Sequence, residues 1–242
     1  MTRQADFGPF FSPTGNLHQL TYAQKKVDTS PTILGLKSNH GIVLLTEKPI
    51  EFKYQKIEKK SRIHQITNKI YITQTGIQTD VIPLKNWLIE QEEYYTQMYP
   101  DGNRCGKGFR QMISLYMNSY SRYWNTRPLG LNVISGVFDG SYNLYKTDTS
   151  GLSKSYRACV SGKGSARAVT ELEKLDLDDM SINELIREGI KILYKTFDDT
   201  KDSEFRIEVA AISKETENNF RILKESEYES FIEEFEGLTV DD

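Results

Sequence analysis

The chain has 242 residues, of which 38% are hydrophobic, 27% charged and 11% aromatic. This composition lies near the average of soluble globular proteins and excludes collagen-like, disulfide-rich and disordered classes. The formal net charge of −3 gives no reason to expect a nucleic-acid partner. No run approaches the roughly 18 apolar residues of a membrane span, and residues 1–6 lack the apolar segment of a signal peptide. We therefore expect an intracellular protein with no membrane partner.

The charges are unevenly distributed along the chain. Residues 224–242 contain eight acids against one lysine, a charge of −7, which leaves +4 for residues 1–223. Part of the positive charge is concentrated in Lys53, Lys56, Lys59, Lys60 and Arg62. Such a basic run fits a solvated loop, and it also fits a site for carboxylates or phosphates.

The N-terminal quarter alternates between turn signals and short periodic segments. Residues 7–15 contain two prolines and two glycines, which predicts an extended arm ending in a turn. A helix is expected over residues 16–27, where Leu17, Leu20 and Gln24 share one face. Two pairs of apolar runs then predict β-hairpins. Their strands are residues 32–36 with 42–45, and 63–66 with 69–73.

The rest of the chain changes period several times. Apolar residues at three- and four-residue spacing predict helices over 79–99, with Pro83 in the first turn, and over 108–124. Strands, two helices, further strands and a short acidic helix follow. This order lacks regular βαβ alternation, so it predicts an α+β fold with helix layers around antiparallel sheets. The later elements are strands 131–138, 142–146 and 154–160, helices 165–175 and 181–196, and strands 204–212 and 219–223.

The domain organisation follows from the same survey. No linker rich in proline, glycine or serine interrupts residues 30–223, and no internal repeat is present. We expect an N-terminal arm and turn over residues 1–15, a single domain over residues 16–223, and an acidic C-terminal helix and tail over residues 224–242.

Motifs for metal or nucleophilic chemistry are missing from the sequence. His18, His40 and His64 share no metal-ligand spacing, so we predict neither a metal nor a cofactor. There is no Gly-x-Ser-x-Gly elbow and no phosphate loop. Residues 162–165, Gly-Lys-Gly-Ser, precede a predicted helix and could attract an anion, although a simple helix entry explains them better. Cys105 and Cys159 are expected to be ordinary thiols.

An ordered set of motifs is more informative. Residues 11–23, F-S-P-T-G-N-L-H-Q-L-T-Y-A, resemble the signature F-S-P-[DE]-G-R-x-x-Q-V-E-Y-A that opens alpha-type subunits of the 20S proteasome. Further fragments are similar to that family in order and interval, so the resemblance covers essentially the whole chain. They are Gly35-Leu36, residues 40–44, Glu47-Lys48, Thr75-Gly76, residues 127–130 and residues 148–151.

The sequence also departs from the family pattern. Thr14, Asn16 and Thr21 replace residues that are charged in the signature, so the usual charged contacts cannot form there. Residues 162–175 resemble the alpha type-7 seat of the ring. Residues 220–223 with Glu225 and Glu227 resemble the end of the alpha type-1 subunit, which is the rival seat.

The resemblance implies a fold and a set of partners. The fold would be the four-layer α-β-β-α sandwich of the N-terminal-nucleophile hydrolases, with an extra N-terminal helix. The chain would join other alpha subunits in a seven-membered hetero-ring stacked on beta subunits, and regulatory ATPase tails or other activators would dock on it. Such a subunit gates substrate entry in ubiquitin-dependent protein degradation, and its expected location is the cytoplasm and nucleus.

The resemblance also implies that the chain itself does not cut peptides. The position of the family's threonine nucleophile falls on Pro31, and Thr32 beside it is internal to the chain. The position of the catalytic lysine falls near Arg62, which stays protonated at neutral pH. No catalytic residue is therefore predicted. The alternative is a free-standing enzyme of the same fold, or a hydrolase that uses Cys105 or Cys159.

Two functional sites carry over by position. The gate would use Asp6, Pro13 and Tyr22, while Ala5 stands where the family has a tyrosine. The pocket for an activator's C-terminal carboxylate would use Arg62, in place of a lysine, and Gly76 of the Thr75-Gly76 turn.

Overall fold

The computed structural model describes residues 8–50, 54, 61–100, 105–197 and 205–235. The description below refers to those ranges, which contain six α-helices, ten β-strands and two short 3-10 helices, Lys214–Thr216 and Glu225–Glu227. In chain order they are α1 (His18–Asp28), β1 (Ile33–Lys37), β2 (Gly41–Pro49), β3 (Ile63–Thr67), β4 (Ile70–Gly76), α2 (Gln78–Met98), α3 (Gly106–Arg122), β5 (Leu131–Phe138), β6 (Tyr142–Thr147), β7 (Ser153–Tyr156), β8 (Ala158–Ser161), α4 (Ser165–Leu172), α5 (Ile182–Thr196), β9 (Phe205–Ser213), β10 (Arg221–Ile222) and α6 (Glu229–Phe235).

The strands form two five-stranded sheets. The first sheet has the order β10-β9-β2-β1-β8, and the second has the order β3-β4-β5-β6-β7. Neighbouring strands in both sheets are antiparallel. Both predicted hairpins are present, β1 with β2 in the first sheet and β3 with β4 in the second.

Three hydrophobic cores separate four layers. One core lies between the first sheet and helices α4, α5 and α6, and another lies between the second sheet and helices α2 and α3. The third core is enclosed between the two sheets. The layers are therefore helix, sheet, sheet and helix, which confirms the predicted α-β-β-α sandwich.

Strands with both faces covered have almost continuous apolar sequences, because each face contributes to a different core. In β2, Val43 and Leu45 face the helices while Ile42 and Leu44 face the second sheet. The sheets approach closely at Gly35, where an added Cβ would lie 2.8 Å from the Ile134 side chain.

Two of the sequence-based expectations about individual elements were wrong. Residues 154–160 do not form one strand: β7 belongs to the second sheet and β8 to the first, with Arg157 between them. No glycine or proline lies between β7 and β8. The passage of the chain from one sheet to the other is marked only by the change from exposed residues in β7 to buried residues in β8. In α2, Pro83 is the sixth residue, so it lies in the second turn rather than the first.

The last described helix packs on the body of the protein. Tyr228 and Phe235 are buried in the core that α5 covers. Arg187 of α5 pairs with Glu234 and lies over the Phe235 ring. The division at residue 223 stays a prediction, and residues 1–7 and 236–242 of the predicted arm and tail lie outside the described residues. In the ranges that are described, no helix is long and apolar enough to cross a membrane.

Candidate functional site at the head of the two sheets

The segment that enters β1 is held by several buried hydrogen bonds. Thr32 is fully buried, and its amide donates to the Glu47 carboxylate at 2.9 Å. Its carbonyl accepts from the Glu47 amide at 3.0 Å. The Thr75 hydroxyl of β4 donates to the Pro31 carbonyl at 2.5 Å. One short segment is thereby bonded to both sheets.

The Gly-Lys-Gly-Ser segment closes over the same point. The Gly164 amide donates to the Thr32 hydroxyl at 3.2 Å, and the Lys163 amide donates to the Ser30 carbonyl at 2.9 Å. Gly162 has a φ of +112°, and a Cβ on it would lie 2.6 Å from the Pro31 carbonyl oxygen. These donors bind the protein's own chain, which agrees with the helix-entry interpretation rather than with an anion site.

Glu47 is the charged group of this junction. Its side chain is 2% exposed, and the Lys163 ammonium lies 3.8 Å from it, itself only 25% exposed. A buried carboxylate needs such partners because desolvation penalises its charge. The Thr32 amide and Lys163 therefore hold Glu47 in a structural role, with Glu47 joining β1, β2 and the entry to α4.

Helix α1 ends three residues before Pro31 and contacts β4 and β5. The predicted turn before it is present: the Gly15 amide donates to the Ser12 carbonyl at 2.8 Å, and Gly15 has a φ of +79°. The Asn16 side chain donates to the Thr14 hydroxyl at 3.2 Å. A neutral hydrogen bond thus connects two of the three positions that are charged in the family signature.

Two of the three predicted gate residues, Pro13 and Tyr22, are among the residues that the structure describes. Asp6 lies outside the described residues. Pro13 is exposed in the turn, and Tyr22 lies on the outer side of α1, 43% exposed and stacked on His18. The described start of the arm, at Gly8 and Pro9, lines a small cavity together with residues of α1 and of the segment after α3.

The two predicted pocket residues, Arg62 and Gly76, are connected by a third residue, Gln78. Arg62 immediately precedes β3 and is 8% exposed; its amide donates to the Glu208 carboxylate at 2.8 Å. Gly76 ends β4 with a φ of +115°, and a Cβ there would lie 2.1 Å from the Gly130 carbonyl oxygen. Two residues later, the Gln78 side chain reaches Arg62. Sequence reasoning missed Gln78 and Glu208, because only the folded chain brings them to Arg62.

An ion pair between buried Asp80 and exposed Arg127 fixes the start of α2. The Arg127 guanidinium donates two hydrogen bonds of 2.7 Å to the Asp80 carboxylate, which also accepts from the Gly130 amide at 3.0 Å. Burial works to raise the pKa of Asp80, but the bonds from Arg127 and Gly130, with the charge of Arg127, outweigh burial, and the pKa lies below its usual value. An acid in the first turn of α2 was the available sequence signal.

The two cysteines and the histidines do not form a reactive centre. Both cysteines are free, and Cys159 is buried, which raises the pKa of its thiol to about 12. Cys105 is exposed just before α3. Across the described ranges, no group of three or more His, Cys, Asp or Glu side chains could hold a metal ion.

Two facing antiparallel sheets between helix layers, with a polar junction at the head of β1, define an N-terminal-nucleophile hydrolase type of fold. Comparison with known proteins agrees. Residues 27–212 match the family model described as proteasome subunit. The chain is 36% identical to the probable proteasome subunit alpha type-7 of Encephalitozoon cuniculi, over 98% of both chains.

Other relatives are of the same alpha class. The chain is 35% identical to proteasome subunit alpha type-3 of Acanthamoeba castellanii, over 86% of this chain and 82% of the relative. It is 29% identical to the probable alpha type-7 subunit of Schizosaccharomyces pombe, over 87% and 83%. The chain belongs to the proteasome subunit family, as one of its alpha-type members, and the predicted likeness to type 7 is confirmed. An alpha-type member is a non-catalytic subunit of the core particle.

The Asp80 ion pair generates a stability prediction. We expect Asp80→Asn to lower the free energy of unfolding at pH 7 by about 1–3 kcal/mol, because the Arg127 and Gly130 donors lose a charged acceptor. Water can replace part of the lost hydrogen bonding at Arg127, which is exposed. The folded pKa is depressed, so this stabilisation is present above the unfolded pKa, near 4, and is lost as the pH falls through the folded value. Urea denaturation at pH 7, 5 and 3 should therefore show a difference between wild type and variant that shrinks only in the most acidic sample. A difference independent of pH would contradict the assignment.

Proposed function

We propose that this chain occupies one seat of the seven-membered outer ring of the 20S proteasome core particle, most resembling the type-7 seat. Its partners would be the other alpha subunits, the beta subunits beneath them and the activators above. The ring would enclose peptide-bond cleavage that takes place in other subunits, within ubiquitin-dependent protein degradation. The cytoplasm and nucleus are the compartments in which this work is expected.

The observation that supports the proposal most is the burial and hydrogen bonding of Thr32 at the head of β1. Proteasome-type catalysis needs a threonine whose own free amino group acts as the base. By the resemblance, the nucleophile's position falls on Pro31, which has no hydroxyl. The nitrogen of the next residue, Thr32, is a peptide amide bonded to Glu47. The Thr32 hydroxyl is buried and accepts a hydrogen bond from Gly164. The same fold is thereby used as a closed structural unit.

The cysteine-dependent alternative has little support in this geometry. Cys159 is buried with a raised pKa, so it would remain a thiol at neutral pH. Cys105 is exposed, but none of the three histidines is bonded to it in the described structure. We therefore retain the non-catalytic ring subunit as the proposed function.

The gate and the activator pocket are the two regulatory parts of this proposal. The arm before α1 would obstruct the pore, and an activator's C-terminal carboxylate would be bound by Arg62 near the Gly76 turn. The planar guanidinium of arginine can bind a carboxylate side-on through two parallel hydrogen bonds, whereas the ammonium of lysine acts as a point charge. At the proposed pocket the chain turns at Gly76, where the positive φ and the close contact with Gly130 leave no room for a side chain.

The absence of catalysis by this chain can be tested directly. We expect the purified chain to give no turnover of fluorogenic peptides, and Thr32→Ala to leave hydrolysis by the assembled core particle unchanged, because Thr32 is no nucleophile. Thr32→Ser, which keeps the hydroxyl that accepts from Gly164, is the matched control for folding. Turnover by the chain alone that Thr32→Ala abolishes and Thr32→Ser preserves would overturn the proposal.

The proposed gating by the N-terminal arm can be tested by deletion. Deleting residues 2–9 should raise basal peptide hydrolysis by the assembled core particle several-fold without activator, because the arm would no longer obstruct the pore. Deleting residues 236–242 removes a similar length from the other end and should leave basal hydrolysis unchanged. Equal basal rates in the wild type and the arm deletion would show that this arm does not close the pore.

A further inference from the structure

The guanidinium of Arg62 already has an acceptor from its own chain. Gln78 is exposed at the first position of α2 and lies over the largely buried Arg62. With the Gln78 amide turned so that its oxygen faces the guanidinium, that oxygen lies 3.2 Å from Nε and 3.0 Å from Nη2. Both distances are those of hydrogen bonds.

The two bonded nitrogens are chemically significant. Nε and Nη2 form one edge of the planar guanidinium, an edge that can bind both oxygens of a carboxylate side-on. The Gln78 oxygen takes both donors of that edge at once. A carboxylate arriving from solvent must therefore displace the glutamine before it can form the bidentate pair on this edge.

Both partners of this contact are held in place. The Arg62 amide is bonded to Glu208, and its carbonyl accepts from the Thr73 hydroxyl at 3.4 Å. On the other side, the Ile77 amide donates to the Gly130 carbonyl at 2.8 Å, so the turn before Gln78 is fixed. The glutamine is therefore positioned by the fold to meet the guanidinium and does not reach it from a flexible loop.

We propose that Gln78 is a specificity-determining residue that competes with the activator's carboxylate for Arg62. This inference rests on the proposed docking function and adds its regulation. The glutamine oxygen is neutral, whereas a carboxylate is charged and offers two oxygens, so a tail can replace it at a cost in affinity. A seat whose binding edge is occupied for most of the time binds its ligand more weakly, in proportion to the unoccupied fraction. Gln78 would thus make this seat selective for tails that bring additional contacts.

The test measures tail binding at this seat in the assembled core particle. The probe is a short peptide with a free C-terminal carboxylate and a photoactivatable group at its N-terminal end, together with its C-terminally amidated twin. Crosslinking to this chain, resolved by mass, is followed against peptide concentration to give an apparent Kd. Particles carry wild type, Gln78→Ala, Gln78→Glu, Arg62→Ala or the control Thr79→Ala, which changes the exposed neighbour of Gln78.

Removal of the competing oxygen in Gln78→Ala should lower the apparent Kd of the carboxylate peptide about three- to tenfold, the range expected for one neutral hydrogen-bonding group. Gln78→Glu should raise it about tenfold or more, because a charged competitor pairs with Arg62. Thr79→Ala should leave it unchanged, and the amidated twin should bind weakly to every particle.

The contrary outcomes separate the two claims. If Arg62→Ala abolishes the preference for the carboxylate peptide but neither Gln78 variant changes the apparent Kd, the docking function stands and the inference about Gln78 is overturned. If the carboxylate peptide and its amidated twin bind alike and Arg62→Ala has no effect, the docking assignment itself fails. Native mass measurement of each particle confirms that the variants assemble.

Discussion

The packing of the two sheets depends on one short segment, Pro31 and Thr32 at the entrance to β1. Its backbone groups bind Glu47 of the first sheet and Thr75 of the second, and the Thr32 hydroxyl accepts from Gly164 before α4. Because these groups are buried, each unmade bond would carry a desolvation penalty of about 1–3 kcal/mol. The segment consequently aligns the two sheets.

This constraint also explains how a fold built for catalysis can serve a structural purpose. A catalytic member of the fold needs an open position and a free amino group at the head of β1. In this chain every polar group of Thr32 has a partner, and helix α1 contacts β4 and β5. The threonine at the head of β1 is thereby enclosed by its own chain, which suits a protein that encloses and regulates reactions elsewhere.

Much of the fold could be predicted, because its signals are local. The Ser12 to Gly15 turn, both hairpins and the helices follow from turn residues and hydrophobic periodicity. The split between β7 and β8 could not be predicted, because it depends on which sheet each half joins. The contacts of Arg62 with Gln78 and Glu208 were also beyond sequence reasoning, since Glu208 lies 146 residues away. The interval from Thr75-Gly76 predicted Arg62 as a pocket residue, but only the tertiary structure reveals that the Gln78 side chain lies at its guanidinium.

A ring subunit should be found in a large assembly and should not work as an enzyme by itself. Native mass spectrometry of the particle purified through a tag on this chain tests this directly. We expect an assembly of several hundred kilodaltons that contains this chain together with different members of the same family. A monomer of 27.9 kDa that hydrolyses peptides without partners would contradict it.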